Sequence, residues 1–269
     1  MLEQILAERL REEPPENCTV VMGSTPIIAF GRFRSAKVAS VSLNPSWAEF
    51  EPVKDNYRFH TLKTLGVESY SNITDKHVNQ IVDYCERYFE RYYTTGIRKI
   101  KKNPLYYKSW FNPMEKMIND IYGVSYLDGS ACHLDISQWA TNNTWGKLTE
   151  TQRKAIVGKR DLELLRQQVL NNNYEIILLN GATTSEVFLH QCFNIHNYET
   201  VTLQKTTRSK GEKTITKVEG YYIEVNKLLG EKLKKPIKIL GWNDYIQKKP
   251  TNIEMIKSWV KSTITLPLD

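Results

Sequence analysis

The sequence predicts an α/β fold, a three-layer sandwich around a central, mostly parallel four-stranded sheet. Three observations predict it. Four short apolar runs each end in polar turn residues. The clearest of them, YEIILLNG at 174–181, is continuously apolar, as strands covered on both faces are. Stretches of helical spacing alternate with these runs, which is the pattern of strands linked by helices packed on a sheet.

In chain order, Leu2, Ile5, Leu6 and Leu10 recur at helical spacing and predict a helix over 2–12, ended by the paired prolines of EEPPEN. KVASVSLN reads as the first strand. In TDKHVNQIVDYCERYFERYYTTG, residues Val78, Ile81, Val82, Cys85, Tyr88, Phe89 and Tyr92 share one helical face, with Gly96 as the stop. NPMEKMINDIYG predicts a shorter amphipathic helix, and ACHLDISQWAT a second strand. Thr149 to Gln152 form a capping-box pattern that opens a helix running to about Leu170. After YEIILLNG come a helix over TTSEVFLHQCF and a fourth strand, PIKILGWN. A last helix is capped by Thr251-Asn252-Ile253-Glu254. With no internal repeat and no linker-like segment, residues 1–269 read as a single domain, carrying the N-terminal helix and a basic hairpin at about 203–217.

Composition narrows the function classes. A hydrophobic content of 41% and a charged content of 25% exclude global disorder. The net charge of +7 leans toward a polyanionic partner. Cys18, Cys85, Cys132 and Cys192 are scattered, with no C-x-x-C, so local pairs for zinc or iron–sulfur are lacking and free thiols in a reducing cytoplasm are expected. The first residues are charged throughout, unlike a signal peptide, and no apolar run reaches bilayer length.

In open α/β sheets ligands lie beyond the carboxyl ends of the strands. Those ends read Asn44-Pro45-Ser46, Asp135-Ile136-Ser137, Asn180-Gly181 and Gly241-Trp242-Asn243-Asp244. Any one of them taken alone is an ordinary turn. As an ordered set, S-L-N-P-S at 42–46 and Leu179-Asn180-Gly181 resemble the uracil-DNA glycosylase superfamily, above all its mismatch-specific thymine/uracil branch. The resemblance covers strand order from about Ser42 onward and is specific only over these short motifs.

The resemblance implies a uracil-DNA glycosylase-like fold and a monofunctional N-glycosylase. Such an enzyme flips a base out of DNA and leaves an abasic site without a metal or organic cofactor. Asn44 would hold the attacking water, since an amide both donates and accepts, with Pro45 stiffening its loop. Ser46 stands where the uracil-specific branch has a Tyr that excludes C5 substituents, so a substituted pyrimidine would fit.

Asp135 departs from the usual Asn. A protonated carboxyl could accept from the N4 amino group of cytosine and donate to N3. Its plain alternative is a turn cap or an ion pair with a nearby Lys or Arg. Phe50, Tyr57 or Phe59 would stack on the flipped base, each being equally at home in a core, and His60 beside them reads as structural. The last loop lacks the His that the superfamily's uracil branch supplies there; Asn243 is the nearest equivalent, with Tyr245, Ile246 or Gln247 as the wedge and Lys248 near phosphates.

TTGIRKIKKNPLYYKSW has five basic residues and no acid, and Lys99, Lys101 and Lys102 are its candidate DNA contacts. LQKTTRSKGEKTITK has five against one Glu. Room at Ser46 with an acid at Asp135 argues for a bulky C5-modified cytosine. Bacterial anti-phage glycosylases that remove glucosylated 5-hydroxymethylcytosine from viral DNA are among the proteins this chain looks like. The alternatives are a uracil/thymine mismatch repair glycosylase and, given the missing His, a non-catalytic nucleic-acid-binding module.

Overall fold

The computed structural model describes residues 2–16, 18–54, 56–95, 101–210, 212–247 and 252–264; for 101, 205–210 and 212–216 it describes the backbone alone. The elements in chain order are α1 (Leu2–Leu10), β1 (Val38–Ser42), α2 (Leu62–Leu65), α3 (Asp75–Glu86), β2 (Tyr92–Thr95), β3 (Lys101–Pro104), α4 (Lys108–Tyr122) and β4 (Ala131–Asp135). They continue as α5 (Glu150–Ile156), α6 (Lys159–Asn171), β5 (Ile176–Asn180), α7 (Ala182–Glu186), β6 (Glu199–Lys210), β7 (Glu212–Leu228), β8 (Glu231–Trp242) and α8 (Ile253–Thr263).

The sheet is six-stranded and mixed, in the order β4-β1-β5-β8-β7-β6, rather than four-stranded. The four anticipated strands form its contiguous parallel block, and β7 and β6 extend it antiparallel. The residues read as a basic hairpin do pair as one, and they are the outer part of a longer pair of sheet strands. Pro236, with no N–H to give the ladder, lies where the β7–β8 register shifts between Val225 and Lys227. A second, two-stranded sheet pairs β2 with β3.

Side chains alternate across the sheet. By register, Ser40, Ser42, His133, Asp135, Leu178, Asn180 and Trp242 share one face. There Phe111 of α4 meets the His133 ring at 5.3 Å, and α8 packs on α4. The opposite face carries Ala39, Val41, Cys132, Ile177 and Leu179, and is covered from the side of α6 and α7, with α1 on α6. The five residues of each of β1, β4 and β5 are all buried, which explains their unbroken apolar pattern.

Several boundaries differ from the sequence reading. Helix α3 stops at Glu86; a 3-10 turn then buries Tyr88 and Phe89, and Tyr92–Thr95 is strand, as its aromatic and β-branched residues favour. Gly96 lies outside the described residues. Helix α4 begins at Lys108 and runs through Pro113, and the stretch expected as one helix to Leu170 breaks at Val157-Gly158. The capping box holds: Thr149 Oγ1 accepts from Gln152 N, and Gln152 Oε1 accepts from Thr149 N. Thr251 lies outside the described residues, and Asn252 caps nothing; its amide donates to Asp244 instead.

Candidate active site at the strand ends

The parallel register sets Ser42 beside Asp135 at the carboxyl edge, with His133 and Ser40 one step below. Asp135 is 5% exposed, and its Oδ1 has no hydrogen-bond partner among the described residues. The nearest cationic candidate is His133 Nε2 at 3.4 Å, itself without a hydrogen bond, as is the Ser42 hydroxyl. The other imidazole nitrogen is held by Ser40 Oγ at 2.6 Å, which also meets Tyr126 OH at 2.5 Å. The ring is therefore fixed while one of its nitrogens is left over. Each buried polar atom without a partner costs about 1–3 kcal/mol. Three on one face at one sheet edge make a cluster of the kind a ligand satisfies.

Asn44 stands two residues beyond Ser42. Its Nδ2 donates to Thr141 Oγ1 at 2.8 Å, Pro45 O at 3.1 Å and Trp139 O at 3.4 Å. Thr141 Oγ1 spends its own proton on Asn143 O, so it presents a lone pair to the amide. The nitrogen is committed and Oδ1 remains as an acceptor. The loop supplying these partners is tied to α1 and α6: Arg9 donates to Gln138 Oε1 at 3.0 Å and Asp161 Oδ1 at 2.5 Å, and Asp161 also accepts from Gln138 N and Ser137 Oγ.

A second buried acid belongs to the same place. After Asn44 the chain turns into a 3-10 helix, Trp47–Phe50, in which Ser46 Oγ caps Ala48 N. The turn carries Glu49 inward to 2% exposure. Tyr88 OH donates to Glu49 Oε2 at 2.6 Å, and because Tyr88 OH accepts from Tyr107 N, its single proton is directed at the carboxylate. Burial pushes the Glu49 carboxyl up to about 7; the Tyr88 bond and the Arg58 charge pull against that rise, and the Asp135 charge adds to it.

The other sequence candidates separate. Ser46 is exposed at the rim, beside Trp47, which is 44% exposed. Phe59 is a core residue, stacked on Tyr88 with centroids 5.0 Å apart and edge-on to Phe30, and so is not available to a flipped base. Phe50 is half-buried, 6.1 Å from Phe59. Tyr57 stacks on Tyr84 at 5.3 Å, beside His60, whose pKa burial lowers to about 4.

Asn243 does not join the cluster. Its Oδ1 accepts from Glu219 N and its Nδ2 donates to Lys217 O, so the amide continues the β7–β8 ladder. Gln247 is bound by Asn180 Nδ2 at 2.8 Å and donates to Trp110 O, rather than standing free as a wedge. Ile246 is buried. Tyr245 lies against Gly181, at φ +108°, where an added Cβ would come within 2.7 Å of the ring. Burial, with the Asp135 charge adding, raises the Tyr245 pKa. Lys102 is exposed on β3, Lys101 is described by backbone alone, and Lys99 and Lys248 lie outside the described residues.

Sequence reasoning passed over Glu49, Trp47, His133 and Ser42. A signal existed for His133: H-x-D inside a strand buried on both faces puts two polar residues on one face. Two shallow clefts lie away from this edge, one around Val169, Tyr174 and Leu233, the other around Leu179, Tyr198 and Tyr221. No helix among the described residues is long and apolar enough to cross a membrane. No family model matches the chain, and no curated protein sequence matches it.

Proposed function

We propose that this protein is a DNA N-glycosylase that excises an extruded, C5-modified cytosine and leaves an abasic site. The single observation that carries the reading is the coincidence at one sheet edge of a committed amide, Asn44, and three buried polar atoms with no hydrogen bond among the described residues, Ser42 Oγ, His133 Nε2 and Asp135 Oδ1.

Asn44 Oδ1 accepts a hydrogen from water and so aims its lone pair at the anomeric carbon. The C1′–O bond forms as the C1′–N1 bond breaks, the electron pair leaves on the base, and the proton shed by the attacking water passes to solvent. Positioning and electrostatic support suffice for an oxocarbenium-like transition state. Asp135 reads the cytosine edge by accepting from N4. Glu49, whose carboxyl keeps a proton to about pH 7, is the proton reserve for a leaving group poorer than uracil. A bulky substituent on C5 passes Ser46 toward solvent, since that residue is exposed. Asp135 is closed from solvent, so a side chain must yield for the base to enter; Tyr245, lying over Gly181, is the residue placed to do so. In this reading DNA, including modified viral DNA, is the partner, and antiviral defence the setting.

The closure of the strand ends also favours a second reading, a non-catalytic nucleic-acid-binding module. Duplexes carrying uracil, a G·T mismatch or glucosylated 5-hydroxymethylcytosine, incubated with the protein and treated with alkali, separate the readings. Breaks with the glucosylated cytosine are expected. Breaks only with uracil or G·T indicate a repair glycosylase, and retained DNA binding without breaks indicates the module.

A further inference from the structure

The outer hairpin of the sheet has no role in that chemistry, and its register gives it one. β7 pairs with β8 as far as Gly220↔Trp242. Trp242 in turn stands beside Asn180, at the carboxyl edge that β1 and β4 share. β6 and β7 remain paired beyond that point, from Thr202↔Glu219 to Lys210↔Glu212. The two strands therefore leave the sheet as a free ribbon on the same edge as Asn44 and Asp135. At about 3.3 Å per residue it projects roughly 25 Å.

Asn243 anchors the root of this ribbon. Its backbone N donates to Glu219 O, and its side chain pairs with Glu219 N and Lys217 O, which adds one rung past the end of β8. The sequence of the ribbon holds Lys205, Arg208, Lys210, Lys213 and Lys217 against the acids Glu212, near its tip, and Glu219, at its root. The register sets Lys205 opposite Lys217, a like-charge cross-strand pair that disfavours a ribbon standing alone and favours one lying on an anion. A two-stranded β-ribbon is of a size that the major groove of B-DNA, about 12 Å wide, admits.

We propose that the β6–β7 ribbon is a duplex-DNA clamp, lying in the major groove with its lysines on the flanking phosphates, beside the site at the strand ends. The inference requires DNA binding and does not require excision.

The test is fluorescence anisotropy of an unmodified duplex, and of one of its single strands, over a salt series with the wild type and the K205Q/K213Q/K217Q variant. Circular dichroism and thermal midpoint check that the variant is folded. Three lost phosphate contacts lower the slope of log affinity against log salt by about 2.7 and weaken duplex binding by about tenfold or more at low salt. Affinity and slope equal to the wild type overturn the proposal, as does an equal loss on the single strand. Trypsin footprinting of the wild type gives a second reading: duplex protects the bonds after Lys205, Lys213 and Lys217, and unprotected cleavage counts against the clamp. Lysine-dependent duplex binding in a protein that excises no base still supports the clamp, and counts against the glycosylase alone.

Discussion

Asp161 and Asp135 are both almost wholly buried, 3% and 5% exposed, and the fold treats them in opposite ways. Asp161 is surrounded by donors: Arg9 Nη2 at 2.5 Å, Gln138 N and Gly158 N at 3.1 Å, and Ser137 Oγ at 3.2 Å. Asp135 has an imidazole at 3.4 Å and an Oδ1 with no hydrogen bond among the described residues. The first acid joins α1, α6 and the loop that holds Asn44. The second leaves its bonding capacity unused at the edge where ligands of such sheets bind. Burial alone therefore does not distinguish the two acids; the donors around them do.

The sharpest way to break this contrast is Asp161→Ala. It takes the buried carboxylate from the Arg9 guanidinium, 5% exposed and left with Glu12 and Gln138, and from three further donors, and a loss of about 3 kcal/mol in chemical denaturation is expected. A loss under about 1 kcal/mol would mean that Asp161 is no more structural than Asp135. Next is Asn44→Ala, which should cut excision of the modified base by about 100- to 1000-fold, the range seen when one positioned polar group is removed. Its stability should fall by only about 1–2 kcal/mol for the lost bonds to Thr141 and its neighbours. Single-turnover kinetics with urea titration of the same preparation measures both, and near-wild-type excision would remove Asn44 from the reaction.

Glu49 gives a prediction in pH. Its carboxyl holds a proton to about pH 7 in the folded protein and to about 4.5 in the unfolded chain. Between those values the folded state binds more protons, so stability falls as pH rises through the window, by up to about 3 kcal/mol in total. Glu49→Gln retains an acceptor for Tyr88 OH and has nothing to titrate. Thermal midpoints at pH 4.5 and 7.5 should therefore lie closer together in the variant than in the wild type. Equal spacing in both would show that Glu49 is not the buried proton store.

How much of this was legible in the sequence follows from the range of the interactions involved. The parallel strands were legible because burial on both faces leaves an unbroken apolar run. The membership of β6 and β7 in the same sheet was not: Thr- and Lys-rich alternation looks like a surface hairpin, and its place is fixed by a second hairpin, in which β7 turns at Leu229-Gly230 to pair with β8. Asn44 could be read from the strand-to-proline junction, and Asp135 from a strand end. Glu49 could not. In AEFEP it resembles any solvated acid, and only Tyr88, thirty-nine positions later, makes it a buried one. Asn243 misled for the converse reason, since its amide completes a ladder with a strand whose presence the local sequence does not announce.

The smallest expected change in stability belongs to Asp135→Asn, and it tests the comparison most finely. With no hydrogen bond at Oδ1 to lose and only the 3.4 Å contact to His133 changed, the variant should match the wild type within about 1 kcal/mol, in contrast to Asp161→Ala. Its specificity should move instead. A carboxylate accepts from the N4 amino group of cytosine; a carboxamide accepts from N3–H of uracil and donates to O4. Excision should shift from the modified cytosine toward uracil, read as the ratio of single-turnover rates on matched duplexes. A marked loss of stability with an unchanged ratio would place Asp135 beside Asp161 as a structural acid, and the orphaned oxygen at the sheet edge would then have no part in reading a base.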